Sequence, residues 1–362
     1  MIVKNGIHMM AKSWRAVAVS AVLAWLLGCI AITDSASPDL AVMPSWRDGA
    51  PAKMELLKYV ATATDKSSSG YIPPDERIAV FDFDGTLFCE TAPTYFDWAL
   101  FEHRVLDDAS YTPTETQASV ARKARETGVW PGLSFERERM MAEAWRGFTP
   151  DAFAEYVRAF AAEPQPGFAG MNRGEAFYRP MVEVVRFLVD NGFCVYVCSG
   201  TDRFMMRPVV EDGLSLPPRQ IIGSDSAIAA RLQDGRDGLE YIYDRDDEIV
   251  LDGVSLVKNL QMNKVVAIER EIGAHPVLAF GNSMSDASML NHALQNGRRR
   301  ALAFMLLCDD MSREYGNALR ARKMQSACGK YGWIPVSMRD DWKTIYGPGV
   351  TRDPAPFAHM RR

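Results

Sequence analysis

The residues best placed for chemistry are two aspartates in the stretch Ile78-Ala79-Val80-Phe81-Asp82-Phe83-Asp84-Gly85-Thr86-Leu87. Asp82 and Asp84 stand two apart, so on extended backbone both carboxylates point to the same side. Side by side they repel, and a positive group must hold them together. A hard divalent cation, which takes oxygen ligands, would do so. Gly85 lets the chain turn sharply, and Thr86 can hydrogen-bond back into that turn.

The elements that must position this pair are written around it. The run from Ile78 to Phe81 is unbroken and apolar, which suits a strand covered on both faces, as in a parallel sheet. A second apolar run, Phe193-Cys194-Val195-Tyr196-Val197-Cys198, ends in Ser199-Gly200-Thr201, with a helix expected from about Asp202. A strand, a small polar turn and a helix start present backbone N–H groups and a hydroxyl to an anion. A third run, Pro276-Val277-Leu278-Ala279-Phe280, meets Gly281 and then Asn282 and Asp286, two oxygen-bearing side chains four apart. Lys264 opens a helical stretch that stops at Gly273. The helix dipole disfavours a cation there, so taken alone it reads as solvated.

Between Cys89 and Arg179 the periodicity reads as helices over residues 95–106, 114–127, 134–146 and 151–162. Thr149-Pro150-Asp151 supplies a capping hydroxyl and a first-turn proline. Pro51 opens an earlier helix, and a helix over 181–190 stops at Asn191-Gly192. Residues 211–257 read as loop-rich and acidic, with a short irregular β segment and Asp-Gly turns at 234–235, 237–238 and 252–253. Residues 301–307 read as a core strand and 331–336 as a closing one. Residues 351–362 read as a loose tail.

The N-terminus looks like a targeting segment. Lys4, Lys12 and Arg15 precede an almost unbroken apolar run from Ala16 to Ile32. A basic region before an apolar core of this length reads as an export signal or an uncleaved membrane anchor. Leu26-Leu27-Gly28-Cys29 looks like a bacterial lipoprotein box, although a small residue is commoner at Leu27. Either reading expects residues 34–362 outside the cytoplasm, in the cell envelope, where disulfides are tolerated. The chain has six cysteines and no Cys-x-x-Cys pair, which argues against structural zinc. Cys194 and Cys198 would lie roughly 13 Å apart along a strand, too far to bridge. With 41 basic and 46 acidic residues, net charge −5, no basic surface for nucleic acid is implied.

Taken together, the Asp82 stretch, Ser199-Gly200-Thr201, Lys264 and Gly281-Asn282 with Asp286 resemble the four motifs of the haloacid dehalogenase superfamily, in that family's order. The resemblance implies a doubly wound, mainly parallel α/β core over residues 77–88 and 180–350, after a linker and helix at 34–76. It implies a helical cap at 89–179 that closes over substrate. Most members are magnesium-dependent phosphatases. Asp82 would be the nucleophile and Asp84 the general acid/base. Thr86, Ser199, Gly200 and Lys264 would bind the phosphoryl group, with Lys258 competing for the lysine role. Asp82, Asp84, Asn282 and Asp286 would hold Mg2+, with Asn282 where the family usually has an aspartate.

Pro44-Ser45-Trp46-Arg47-Asp48-Gly49 and Asp341-Trp342-Lys343 narrow the resemblance to exported bacterial members loosely similar to phosphoserine phosphatase. The chain departs from that group at Phe83, Met284-Ser285 and Leu307-Cys308. The implied activity is hydrolysis of a small phosphate monoester. A membrane-tethered binding protein on a catalytically impaired scaffold is the alternative, with Asn282 in its favour. Glu90 could meet a substrate ammonium, and Arg137, Arg139 and Arg146 an anionic group.

Overall fold

The apolar run before the paired aspartates forms the middle of a sheet. The computed structural model describes residues 42–90, 92 and 94–354. α1, Pro51–Thr64, starts at its proline and buries Leu56, Tyr59 and Val60. β1, Ile78–Phe81, is buried along its whole length. Four helices follow: α2 Phe96–Leu106, α3 Glu115–Thr127, α4 Phe135–Glu143 and α5 Pro150–Ala161. Thr114, Ser134 and Thr149 each cap the next helix by accepting an amide N–H of its first turn. Then come β2 Phe168–Ala169, α6 Arg179–Asp190, β3 Cys194–Asp202, α7 Arg203–Leu214, β4 Ile221–Ala230 and β5 Ile249–Val257. α8 Met262–Glu271, β6 Leu278–Gly281, α9 Ala287–Leu294, β7 Leu302–Leu307, α10 Ala318–Tyr331, β8 Ile334–Ser337 and β9 Thr351–Arg352 complete the chain.

Seven strands make one sheet in the order β5-β4-β3-β1-β6-β7-β8, parallel except for β5 against β4. From β1 the chain adds β3 and β4 on one side. It then crosses to β6 on the other. Ligands of doubly wound sheets bind at such a reversal, outside the carboxyl ends of the strands. Here those ends are Phe81, the Ser199 turn and Gly281. The rings of Phe81, Phe280 and Phe304 stack across three neighbouring strands, with centroids 4.2 and 4.7 Å apart, and fix their register. This is the doubly wound, mainly parallel α/β core that the sequence implies.

Helices α2–α5 are tied to the β4–β5 hairpin. Gly147 N–H donates to Leu251 O and Leu251 N–H to Phe148 O, each at 2.8 Å. The Arg158 side chain of α5 pairs with Glu211 and Asp212 of α7. The hairpin corrects the reading of 211–257 as mostly loop. Its strands are ten and nine residues long. The small and polar residues of Gly223-Ser224-Asp225-Ser226 hide the strand signal, and pairing to β3 overrides their weak propensity. The expected turn at 252–253 is a bulge inside β5, where Gly253 takes φ +70° and the register against β4 shifts.

Two other stretches differ from expectation. The tail does not begin at 351, because Thr351 and Arg352 pair antiparallel with Ala169 and Phe168. Arg352 also lies over the Tyr315 ring, 4.8 Å from its centroid. α10 has no counterpart in the sequence reading, although its signals are present. Asn317 caps it, and Gly332 ends it at φ +76°. The signature stretches near the two ends of the chain meet. Arg47 N–H donates to Asp341 O and Lys343 N–H to Ser45 O, both at 2.7 Å, with Trp46 packed edge-on against the fully buried Trp342.

The expected export or anchor segment at 1–33, Cys29 included, lies outside the described residues. Among the described residues no helix is long and apolar enough to cross a membrane. Cys194, Cys198, Cys308 and Cys328 carry free thiols, so Cys308 and Cys328 do not pair.

Candidate active site

The carboxyl end of β1 delivers Asp82 and Asp84 into a cavity of about 380 Å3. Gly85, at φ +76°, turns the chain directly after them, and its N–H donates to Phe88 O at 2.6 Å. A Cβ on Gly85 would sit 1.8 Å from Asn282 Nδ2, so only glycine fits between these walls. The turn is closed by the Thr86 N–H, which donates to Phe83 O at 3.2 Å. The Thr86 hydroxyl is buried, makes no hydrogen bond and does not line the cavity.

Lys264 is fully buried beneath the cavity floor. Its Nζ donates to Asp82 Oδ1 at 2.6 Å and to Asp286 Oδ1 at 2.7 Å. These ion pairs outweigh the unfavourable dipole of the first helical turn that carries it. Burial alone would lower the Lys264 pKa, but Asp286 and Asp82 hold it up. Asp286 Oδ2 accepts the N–H groups of Asn282 and Ser283, both at 3.0 Å, which locks the turn after β6. Lys258 is elsewhere: its Nζ lies 3.1 Å from Glu138 and 4.0 Å from Asp97, both on the helical insertion.

Ser199 and Gly200 line the cavity. Thr201 Oγ1 donates to Asp84 Oδ2 at 2.6 Å. Burial, then the repulsion of Asp286, lifts Asp82 to about 7 against the pull of Lys264. Burial and then Asp97 push Asp84 well above the usual carboxylate range.

Sequence reasoning missed several residues of the cavity wall. Arg320, from α10, pairs with buried Glu90 at 2.5 Å across 230 residues of chain. Glu90 therefore already has a cationic partner. Asp97, on α2, is buried and pushed up to about 6, by desolvation that Lys258 only partly offsets. Neither carries a local sequence signal, because no motif surrounds them. Of the three arginines read from the insertion, Arg137 lines the cavity and lies over the Trp98 ring. Arg139 is exposed, and Arg146 pairs on the surface with Glu143 and Asp252.

The donor set suits a hard divalent ion. Asp82 and Asp286 are two buried carboxylates on one buried cation, Lys264, with buried Asp84 beside them. Asp84 Oδ1 is buried without a hydrogen-bond partner. Surplus negative charge and oxygen donors from Asp82, Asp286 and the Asn282 amide fit such an ion.

Fold and cavity together are those of a doubly wound α/β enzyme whose reactive groups are carboxylates. The chain belongs to the haloacid dehalogenase-like hydrolases, whose family profile matches residues 79–291, more than half of its length. No curated protein matches it significantly. Similar solved structures include the following three. A protein of unknown function from Anaerococcus prevotii is 12% identical, with TM-score 0.49 over 79% of this chain and 91% of that one. A protein of unknown function from Bordetella pertussis is 15% identical, with TM-score 0.45 over 72% and 98%. A cytosolic 5′-nucleotidase IIIB bound to cytidine is 14% identical, with TM-score 0.46 over 81% and 87%. These distant likenesses say nothing of this chain's substrate.

Proposed function

We propose that this hydrolase cleaves small phosphate monoesters through an aspartyl-phosphate intermediate. One observation carries the reading: Lys264 holds Asp82 at 2.6 Å from below while Asp84, held by Thr201, faces the same cavity. Asp82 attacks phosphorus as the bond to the ester oxygen breaks, and Asp84 gives its proton to the departing alcohol. Asp84, now a carboxylate, takes a proton from water as that water attacks the phosphoryl group. Inorganic phosphate leaves, the Asp82 carboxylate is restored and Asp84 is again protonated. The Ser199 hydroxyl and the Gly200 amide meet the phosphoryl oxygens, with Lys264 supplying positive charge beneath. Asp82, Asp286, the Asn282 amide oxygen and the Asp84 carbonyl would hold Mg2+, which when bound offsets negative charge on the transferring group.

The proposal extends to location: residues 1–33 would export the chain and could tether it to a membrane. The test of the chemistry is turnover of p-nitrophenyl phosphate by the full chain in mild detergent, with Mg2+ and then with EDTA. Mg2+-dependent release of p-nitrophenol is the expected result. A folded, inactive protein would favour a binding protein on this scaffold.

Thr201→Val keeps the shape of residue 201 and removes the hydroxyl that holds Asp84. With the acid misplaced, kcat should fall on the order of tenfold to hundredfold, with KM little changed. A variant with unaltered kcat would mean that Asp84 needs no such support.

A further inference from the structure

α8 and α9 both start at the active site, α8 with Lys264 in its first turn and α9 directly after Asp286. They lie against each other, and away from the cavity they bring three metal-ligating side chains together. Glu269 is on α8, His292 is on α9, and His275 is in the turn between α8 and β6. Gly273, at φ +70°, reverses the chain so that His275 returns alongside. The two imidazole rings are 4.1 Å apart and inclined by 36°. Glu269 Oε1 is 3.0 Å from His292 Nε2 and 3.7 Å from His275 Nε2. One donor atom from each residue lies within 4.8 Å of the other two.

A second observation points to a ligand. His292 is only 8% exposed, and its Nε2 makes no aligned hydrogen bond despite the nearby carboxylate. A buried ring nitrogen whose one carboxylate neighbour, Glu269, is poorly aligned for a hydrogen bond would be better satisfied by a metal bond. An ordinary pair of ion pairs explains the arrangement poorly. One carboxylate oxygen faces both rings, and two protonated imidazoles at this spacing would repel.

We propose that Glu269, His275 and His292 bind a zinc-class divalent cation that clamps α8 to α9 behind the active site. Two imidazoles and a carboxylate suit Zn2+, Co2+, Ni2+ or Cu2+ rather than Mg2+. Three protein ligands leave a fourth position for water. Glu269 is five residues beyond Lys264, roughly 8 Å along the helix. The clamp would therefore steady the two elements that hold Lys264 against Asp286. It is separate from the hard-cation site, whose donors are at the end of β1 and in the turn between β6 and α9.

The experiment is calorimetric titration of Zn2+ into the full chain, stripped with EDTA and returned to excess Mg2+ so that any hard-cation site is filled. One equivalent of Zn2+ should bind. His275→Ala, at an exposed position, should fold normally and weaken binding at least tenfold, as should Glu269→Gln. Asp82→Asn should leave Zn2+ binding unchanged. Co2+ in place of Zn2+ should give visible d–d absorption that His275→Ala abolishes. No saturable Zn2+ binding in the wild type would overturn the proposal. So would binding that survives the paired His275→Ala and Glu269→Gln substitutions. Loss of binding in Asp82→Asn would place the ion in the active site and equally end it. Because binding is read directly, none of these outcomes depends on phosphatase activity.

Discussion

Asp82→Asn should abolish turnover of phosphate esters while leaving the protein folded. Asn has nearly the shape of Asp, so Lys264 keeps a side-chain oxygen to donate to. The amide cannot attack phosphorus, because its nitrogen has no available lone pair and its oxygen carries no full charge. Losing a covalent nucleophile costs on the order of 10^4- to 10^6-fold in kcat. The substitution also removes one of two carboxylates that repel across Lys264, namely Asp82 against Asp286. Thermal stability should therefore be preserved or raised. Initial rates on p-nitrophenyl phosphate at saturating Mg2+, beside a melting curve, check both parts. A variant that keeps a tenth of wild-type kcat would remove Asp82 from the nucleophile's role.

The second large effect is on stability. Lys264→Met replaces a fully buried ammonium by an apolar side chain of similar length. Asp82 and Asp286 then face each other with no cation between them, and one of them must take up a proton or remain an uncompensated buried charge. Removing one partner from a buried ionic group costs about 3–5 kcal/mol. Mg2+ at the same carboxylates should recover part of this, since an ion that binds only the folded state stabilises it. Urea unfolding of wild type and Lys264→Met should show the full gap in EDTA and a narrower gap in Mg2+. A gap under about 1 kcal/mol in EDTA would contradict the place given to Lys264 at the centre of the charge network.

Much of this arrangement is legible in the sequence, for a local reason. Asp82, Asp84, Ser199, Asn282 and Asp286 each sit at the end of an apolar run. Strand-then-turn fixes where such residues point before any packing is known. The same locality explains the helices of the insertion, whose starts are marked by Thr114, Ser134 and Thr149. It also explains what went unread. The β4–β5 hairpin is held by pairing with β3 and by the helical insertion, neither of which is visible in its own composition.

By itself, then, the sequence determined the parallel core, the carboxylates at its strand ends and the family they belong to. Tertiary structure alone decided which distant side chains complete the cavity. Lys258 and Lys264 are six residues apart and chemically identical. Yet one reaches Glu138 on the insertion while the other reaches Asp82. Arg320 finds Glu90 only because α10 packs beside the site, and Glu269 meets His292 only because α8 lies against α9. A charged side chain acts within a few ångströms, and the path of the intervening backbone, set by core packing, decides what lies within that reach.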